Sequence, residues 1–282
     1  MTNRRSSGMP RRYLVVGVLA VLAVVIGFLG PLAFSTLGNG SAKDRIAADP
    51  PPPLFPAVAV SPLEQQVAAE QGRATALMHQ WWAAHGSGRH DDAYVRWLEM
   101  HVPGPPTPTQ RSVEVAQVQA LAGTRTPAGV KASTWLETYG KKDIWKLYAH
   151  DQAELLPKMS GDRVKQAVKD MLAMSKAVAD TLGARYQESA PYVLHPSLRP
   201  DHVVTTGQVC PCSYPSRHAA AGAAAVTYLS GREPQRATEY RWTQAQIDYS
   251  RVYMAGHVTS DVTAGALLGD MIGAYFLHAE RV

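Results

Sequence analysis

The sequence predicts an all-α domain, a bundle of helices packed around two apolar segments near the C-terminal end. Strand signals are sparse, and the best of them, residues 203–206, is short. Helical signals are strong, because the apolar residues of the segment 162–183 recur at the steps that place them on one face of a helix. Residues 218–229 are rich in alanine, and residues 250–276 form a long apolar pattern interrupted only by small residues. We expect these last two segments to form the core.

The composition is that of a folded protein. With 282 residues, 46% of them hydrophobic and 18% charged, the chain is long and apolar enough for one large domain or two small ones. This excludes disorder as a global description. The two cysteines are too few for a disulfide-rich scaffold, so the fold must rest on its own hydrophobic core.

The net charge of +5 is concentrated at the N-terminus. Four arginines come before residue 13, and residues 13–42 carry no charge. Beyond residue 42 the chain has 24 basic and 23 acidic side chains, so the remainder is close to neutral. A near-neutral domain offers no general surface for polyanions, and we therefore expect no nucleic acid among the partners.

The N-terminal segment has the order of a secretory signal. Basic residues are followed by the apolar stretch 14–34 and then by the small residues Gly40, Ser41 and Ala42, where a signal peptidase would cleave. About 20 apolar residues also suffice to span a bilayer, so an uncleaved anchor with its arginines in the cytoplasm is the alternative. Both interpretations place the rest of the chain outside the cytoplasm, either periplasmic or secreted, and the second associates it with the membrane through residues 14–34.

The chain divides into a leader, a spacer and one domain. Residues 1–42 are the leader, whether a signal peptide or a membrane anchor. Residues 43–60 are a spacer, because residues 49–56 read DPPPPLFP, which cannot be helical and is typical of an extended linker. Residues 61–282 then form a single domain.

Local signals predict where three of its elements begin and end. Ser61, Pro62 and Glu64 predict the start of a helix, since they provide an N-cap, a proline at the first helical position and a capping-box carboxylate. Residues 102–109 read VPGPPTPT and predict a surface loop. Gly183 predicts the end of the amphipathic helix.

His257 and Asp261 are spaced for a catalytic pair. Four residues apart on a helix, they would lie on one face, and the carboxylate would orient the imidazole by accepting a hydrogen bond from one ring nitrogen. The other nitrogen would then be a nucleophile. Arg251, near the start of the same segment, would hold an anion against that nitrogen.

A second set of residues predicts an anion site. Ser216 is placed to cap the alanine-rich helix, and the unpaired N–H groups at a helix start bind phosphate well. Arg217 and His218 follow in the first turn, and His218 adds a titratable group there. Arg199, which precedes a proline, offers a guanidinium fork suited to phosphate oxygens.

Three segments together resemble the type 2 phosphatidic acid phosphatase superfamily, which includes the class A bacterial acid phosphatases and the vanadium haloperoxidases. The family pattern is a Lys and an Arg-Pro, then PSGH, then SRxxxxxHxxxD. Here residues 192–200 read YVLHPSLRP, residues 215–218 read PSRH, and residues 250–261 read SRVYMAGHVTSD. The resemblance implies the helical bundle of that superfamily.

The resemblance also implies a role for each residue. His257 would attack phosphorus and form a phosphohistidine, Asp261 would orient His257, and His218 would protonate the leaving oxygen. The phosphate oxygens would be held by Arg199, Arg251, Ser216 and the backbone N–H of Arg217. The implied protein is an acid phosphatase that hydrolyses small phosphomonoesters without a metal or other cofactor, with an acidic to neutral pH optimum.

The motifs depart from the family pattern at two positions. Tyr192 stands where the family has its lysine, and Arg217 replaces the glycine of PSGH. One hypothesis is that the Arg217 side chain partly replaces the lysine, and the alternative is that it points to solvent. Just before this motif, Cys210 and Cys212 would form either a short disulfide or two free thiols.

Three other functions are compatible with these residues. A lipid phosphate or diphosphate phosphatase would act on a membrane substrate, but integral enzymes of that kind need several spanning helices, and the later apolar stretches are too short or are interrupted by Asp270. A vanadate-dependent haloperoxidase would hold vanadate in the same site. A non-catalytic anion-binding domain would need neither a nucleophile nor a proton donor, so His218, His257 and Asp261 together favour an enzyme.

Overall fold

The computed structural model describes residues 41–200 and 212–280, which contain helices and no strand. The all-α prediction is therefore confirmed, while the strand candidate at residues 203–206 lies outside the described residues. The chain divides into two compact units, Met1–Asp49 and Pro50–Val282. In the first unit, Ser41 and the Asp44 side chain form a capping box at the start of helix α1 (Ala42–Ala48). The predicted leader lies outside the described residues up to residue 40.

The second unit contains ten further α-helices among its described residues. They are α2 (Ala57–His85), α3 (Asp91–His101), α4 (Pro108–Ala122), α5 (Pro127–Tyr139), α6 (Asp143–Glu154), α7 (Lys158–Tyr186), α8 (Pro191–Leu194), α9 (Arg217–Arg232), α10 (Ala237–Tyr253) and α11 (Thr259–Ala279). Two single 3₁₀ turns, Pro196–Leu198 and Pro234–Arg236, follow α8 and α9.

Helices α9 and α11 form the centre of this unit, as the apolar segments predict. The two helices pack against each other more extensively than any other pair, and α2, α7 and α10 pack around them. The close approach depends on glycines in α11, because a Cβ at Gly269 would overlap the backbone oxygen of Ala220 in α9. The site residues at the start of α9 and before α11 are therefore attached to the most extensively packed pair of helices.

Among the described residues, α11 alone is long and apolar enough to cross a membrane. Of its apolar window, 72% is buried inside the protein, so packing against α9 and α2 accounts for its hydrophobicity. The helix runs through Asp270 without a break, because this side chain accepts a hydrogen bond from the Thr227 hydroxyl (2.6 Å). The prediction that this stretch is too short or too interrupted by Asp270 to span a bilayer is therefore wrong by length and composition.

The predicted start of the first long helix is also wrong. Helix α2 begins at Ala57, and Ser61 and Pro62 lie inside it. The proline is tolerated there because the carbonyl that loses its partner belongs to Val58, a residue 82% exposed to solvent and hence accessible to water. Helix α1 ends at Ala48 and helix α2 begins at Ala57. The part of the predicted spacer without regular structure is therefore residues 50–56.

The other two predicted boundaries have different outcomes. The loop at residues 102–109 is confirmed, with Thr107 capping α4 and the last two residues already helical. Helix α7, in contrast, continues through Gly183 to Tyr186, and its C-cap Gln187 has a left-handed φ of 52°. Gly183 stays helical because it is buried against the backbone of Tyr214, so tertiary packing outweighs the local stop signal.

Candidate active site

His257 lies in a tight turn between two helices. Residues 254–258 separate α10 from α11, and the Arg251 carbonyl accepts hydrogen bonds from the N–H groups of Gly256 (3.0 Å) and His257 (3.3 Å). The prediction that His257 and Asp261 share a face of one helix is therefore wrong, because this turn satisfies the carbonyl that a continuous helix would use. Only Asp261 is helical, in the first turn of α11.

The imidazole of His257 is oriented by a backbone carbonyl as well as by Asp261. Its Nδ1 donates a hydrogen bond to the Ser213 carbonyl (2.8 Å), while the nearest carboxylate oxygen of Asp261 lies 3.8 Å from Nδ1. The Ser213 bond places the proton on Nδ1 and leaves the lone pair on Nε2. The sequence motif predicted that Asp261 alone orients His257. The structure adds the Ser213 carbonyl, which is the direct hydrogen-bond partner of Nδ1.

Asp261 is a buried, fully engaged carboxylate. One oxygen accepts a hydrogen bond from the Val258 N–H (3.0 Å), and the other accepts one from Arg111 Nη1 (3.1 Å). Burial raises the pKa of Asp261, but the neighbouring His257, the charge of Arg111 and the Val258 N–H outweigh it and hold this pKa below its usual value. Asp261 therefore stays negatively charged beside the imidazole.

The N-terminus of α9 has the predicted cap. The Ser216 hydroxyl accepts a hydrogen bond from the Ala219 N–H (3.4 Å), and the Ser216 N–H donates to the Asp261 carbonyl (2.8 Å). The second bond ties the start of α9 to the start of α11. Because the first N–H groups of a helix have no partner within it, the backbone of Arg217 and His218 offers donors to an anion here.

Two buried arginines meet at one carboxylate. Arg199 is 7% exposed and Arg251 is 5% exposed. Glu137 of α5 accepts a hydrogen bond from each: one oxygen lies 3.2 Å from Arg199 Nη1, and the other lies 3.2 Å from Arg251 Nη2. Within the described residues, Arg251 Nε and Nη1 are buried without a hydrogen-bond partner. Buried donors of this kind are suited to the oxygens of an anionic ligand.

Glu137 is held in its charged form by the arginines. Burial raises its pKa, but the charges of Arg251 and Arg199 outweigh burial and lower the pKa to about 2. The carboxylate therefore neutralises one of the two guanidinium charges at every pH at which the protein would work. One positive charge of the pair remains for an anion.

His218 is buried beside these charges. Its Nε2 donates a hydrogen bond to the backbone carbonyl of Glu137 (3.0 Å), and the residue is 9% exposed. Burial first, and then the positive charge of Arg251, lower the pKa of His218 well below its ordinary value. Without a bound anion, His218 is neutral at neutral pH.

The Arg217 side chain is directed away from this cluster. Its guanidinium pairs with Asp180 of α7 and is 47% exposed, whereas Arg199 and Arg251 converge on Glu137. This geometry does not support the hypothesis that the Arg217 side chain replaces the family lysine. Tyr192, at the lysine position, lies beside Arg199, with 5.9 Å between its ring centroid and the guanidinium carbon.

Cys212 is disulfide-bonded, which excludes a free thiol at this residue. Cys210 lies outside the described residues. Cys212 also pairs with Ser189 through an isolated antiparallel β-bridge. The segment before Ser213 is thereby attached to the connection between α7 and α8, which helps to place the Ser213 carbonyl under His257.

One group of side chains elsewhere in the described residues has ligand atoms close enough for a metal ion. His150, Asp151 and Glu154 of α6 offer ligand atoms within 4.8 Å of one another. All three are partly exposed, and His150 already pairs with both carboxylates. This group shares no residue with the arginine and histidine cluster.

Two residues of the cluster, Arg111 and Glu137, were not predicted from the sequence. Neither belongs to a motif, and they lie 150 and 114 residues before the groups they bind, Asp261 and Arg251. No periodic or local pattern relates residues so far apart in the chain. Only the packing of α4 and α5 reveals them.

Comparison with known proteins gives one family. Residues 171–281 match the model of the PAP2 superfamily, a span that contains every predicted site residue and excludes Arg111 and Glu137. No curated protein matches the chain, and no solved structure matches it. Members of this superfamily are generally phosphatases, which supports hydrolysis of phosphoric esters as the general chemistry of the site. The match covers the C-terminal region that contains the site, and the all-α fold is consistent with the PAP2 superfamily.

Proposed function

We propose that this protein is a periplasmic or secreted acid phosphatase that hydrolyses small phosphomonoesters through a phosphohistidine, without a metal. The observation that carries the proposal is the buried guanidinium pair beside a helix N-terminus and an oriented histidine. Arg251 has two buried donors with no partner within the described residues, and an anion is the ligand that such donors require. A phosphoryl group with three peripheral oxygens suits donors that converge from several elements.

The first chemical step is attack by His257. Its Nδ1 proton is held by the Ser213 carbonyl, so the Nε2 lone pair forms the bond to phosphorus. The bond from phosphorus to the ester oxygen breaks, and the electron pair leaves with that oxygen. Protonated His218 transfers its proton to the leaving oxygen, so the alcohol departs neutral.

Water completes the reaction. Neutral His218 removes a proton from the water molecule as its oxygen attacks phosphorus, and the bond from phosphorus to Nε2 breaks. His257 recovers its lone pair and inorganic phosphate is released. Negative charge on the phosphoryl oxygens is stabilised in both steps by the side chains of Arg199 and Arg251, by the Ser216 hydroxyl and by the Arg217 N–H.

The environment of His218 favours catalytic activity at acidic pH. As the general acid, it must carry a proton in the first step, and its pKa is lowered by burial and by Arg251. The pH profile of kcat/KM reports the pKa values of groups in the free enzyme. Because the pKa of His218 is lowered from 6.5, we expect kcat/KM to decrease with rising pH, with the decrease beginning below pH 6.5. A profile of kcat/KM that is flat from pH 5 to pH 8 would contradict this role.

Substrate preference separates the proposal from its alternatives. We would measure release of inorganic phosphate by the full chain from p-nitrophenyl phosphate and from phosphatidic acid in mixed micelles. A preference for the soluble ester supports the proposal, whereas a preference for phosphatidic acid indicates the lipid phosphatase. Oxidation of bromide by peroxide with added vanadate would indicate the haloperoxidase.

The His257→Ala variant tests the nucleophile. We expect loss of activity by at least about 10⁴-fold, as for other covalent nucleophiles, while His79→Ala on the exposed surface of α2 serves as the matched control and keeps its activity. Vanadate should inhibit the wild-type enzyme, because its five-coordinate adduct resembles the transition state. Equal activity of the wild type and His257→Ala would refute the proposal that the protein is an enzyme.

A further inference from the structure

We propose that Arg111 is a positioning residue for His257, because one guanidinium group holds both of the acceptors that face His257 Nδ1. The proposal rests on the proposed function, in which His257 is the nucleophile. Arg111 lies in α4, outside the region that matches the family and outside all three motifs. It is 7% exposed, so its charge is withdrawn from water and directed into the protein.

All three guanidinium nitrogens of Arg111 are engaged. Nη1 donates to Asp261 (3.1 Å), and Nη2 donates to the Ser213 hydroxyl (2.8 Å) and to the Ser189 carbonyl (2.6 Å). Nε pairs with the Glu188 carboxylate (2.9 Å). A planar group with five N–H donors can satisfy these partners at once, and a lysine ammonium at the same place cannot.

These contacts converge on the nucleophile from two sides. The Ser213 carbonyl accepts the proton of His257 Nδ1, and Asp261 places its nearest oxygen 3.8 Å from the same atom. Arg111 holds Ser213 through its hydroxyl and Asp261 through the oxygen that faces away from the imidazole. Loss of the guanidinium would therefore loosen both acceptors together, whereas loss of either acceptor alone would leave the other.

The charges around His257 are balanced in pairs. Asp261 of α11 faces the imidazole and is paired with Arg111 of α4, which also pairs with Glu188. The imidazole of His218 in α9 is close enough to His257 for the two to interact, and Arg251 of α10 also lowers the pKa of His218. Because Arg111 contacts neither imidazole, it acts through Ser213 and Asp261, and its effect is to keep the Nδ1 proton in place and the Nε2 lone pair toward the phosphate.

The test is the tautomer of His257 in the Arg111→Ala variant. In the full chain with ¹⁵N-labelled histidine, the ring nitrogens report which of them carries the proton. We expect a single Nδ1–H form in the wild type and a mixture of both tautomers in Arg111→Ala. We also expect kcat to fall about 100-fold with little change in KM, since the phosphate donors are untouched while the nucleophile is misaligned.

Two further measurements distinguish positioning from simple support of the fold. Guanidinium ion at millimolar concentration, far below denaturing levels, should restore part of the kcat of Arg111→Ala. Arg125→Met is the matched control, because Arg125 binds the backbone carbonyls of Leu198 and Tyr253 instead of the acceptors under His257. We expect this control to lower the melting temperature without changing the tautomer of His257.

Several outcomes would overturn the proposal. An unchanged Nδ1–H form in a folded Arg111→Ala variant would do so, as would an equal tautomer change in Arg125→Met. If Arg111→Ala does not fold, Arg111→Lys keeps the positive charge but cannot hold both acceptors, so it should still produce a mixture of tautomers, and a single Nδ1–H form in that variant would overturn the proposal. Since the tautomer is measured without turnover, it tests Arg111 even if the chain hydrolyses no phosphate ester, and failure of hydrolysis alone would refute only the proposed function.

Discussion

The reacting groups and their counter-charges come from different parts of the chain. His218 lies on α9, Arg251 lies on α10 and His257 lies in the turn before α11, all within the region that matches the family. Arg111, which binds Asp261, and Glu137, which binds Arg251, come from α4 and α5, which precede that region. The proposed reacting groups belong to short contiguous motifs, so spacing along the chain identifies them. A counter-charge needs only to reach a point in space, and any helix that packs there can supply it.

The largest predicted effect concerns the motif-bearing region. Arg251→Met removes the guanidinium with two buried, unpartnered donors, and we expect kcat/KM for p-nitrophenyl phosphate to fall about 10³-fold, as for the loss of one transition-state donor. Arg241→Met, on the exposed face of the same helix, is the matched control. A loss below tenfold in Arg251→Met would mean that the unpartnered donors do not bind phosphate.

The second prediction compares two buried acids on α11. Asp261 pairs with Arg111, whereas Asp270 has no ion pair within the described residues, and burial raises its pKa to about 7. An acid with a raised pKa stabilises the folded state below its unfolded pKa of 3.8, and this contribution is lost as pH rises toward 7. We expect the free energy of unfolding to fall by up to about 4 kcal/mol between pH 4 and pH 7 for this group.

Asp270→Asn should reduce that dependence. The amide keeps an acceptor for the Thr227 hydroxyl and does not ionise, so the free energy of unfolding from urea titrations should vary less between pH 4 and pH 7 than in the wild type. Part of the dependence will remain, because burial and the charge of Asp270 also raise the pKa of Asp248. An unchanged pH dependence in Asp270→Asn would contradict the assignment.

The third prediction concerns the counter-charge from α5. Glu137 neutralises one guanidinium charge of the Arg199 and Arg251 pair, so Glu137→Gln should leave the site more positive. We expect the inhibition constant of inorganic phosphate to fall about tenfold, which is about 1.4 kcal/mol and modest for a unit charge at this range. Glu154→Gln, exposed on α6, is the control. Weaker binding of phosphate in Glu137→Gln would show that positioning of the two arginines by Glu137 matters more than its competition with phosphate for them.

The smallest effect is expected at Arg217. Its guanidinium pairs with Asp180 at a half-exposed position, so Arg217→Gly should leave the inhibition constant of phosphate unchanged within a factor of about two. The backbone N–H that we assign to phosphate is retained in this variant. A loss of phosphate affinity by tenfold would revive the hypothesis that this side chain replaces the missing lysine.

Local patterns predicted the elements better than their ends. The amphipathic pattern of α7 and the Ser216 cap of α9 are both present, because they depend on neighbouring residues. The predicted helix start at Ser61 and stop at Gly183 are wrong, since α2 begins four residues earlier at Ala57 and α7 continues to Tyr186. The turn that contains His257 was missed for a related reason: its apolar residues continue the pattern of the helices on either side.

The sequence by itself determined the all-α class and the match of residues 171–281 to the PAP2 superfamily, and it predicted the set of reacting residues, because motif spacing and helical periodicity are properties of contiguous segments. Only the tertiary structure decided how those residues are held: the Ser213 carbonyl under His257, the Glu137 carboxylate between two arginines, and Arg111 behind Asp261. It also decided that the Arg217 side chain turns to Asp180. These contacts join residues tens to more than a hundred positions apart, and hydrogen bonds and burial depend on distance in space and not on separation along the chain.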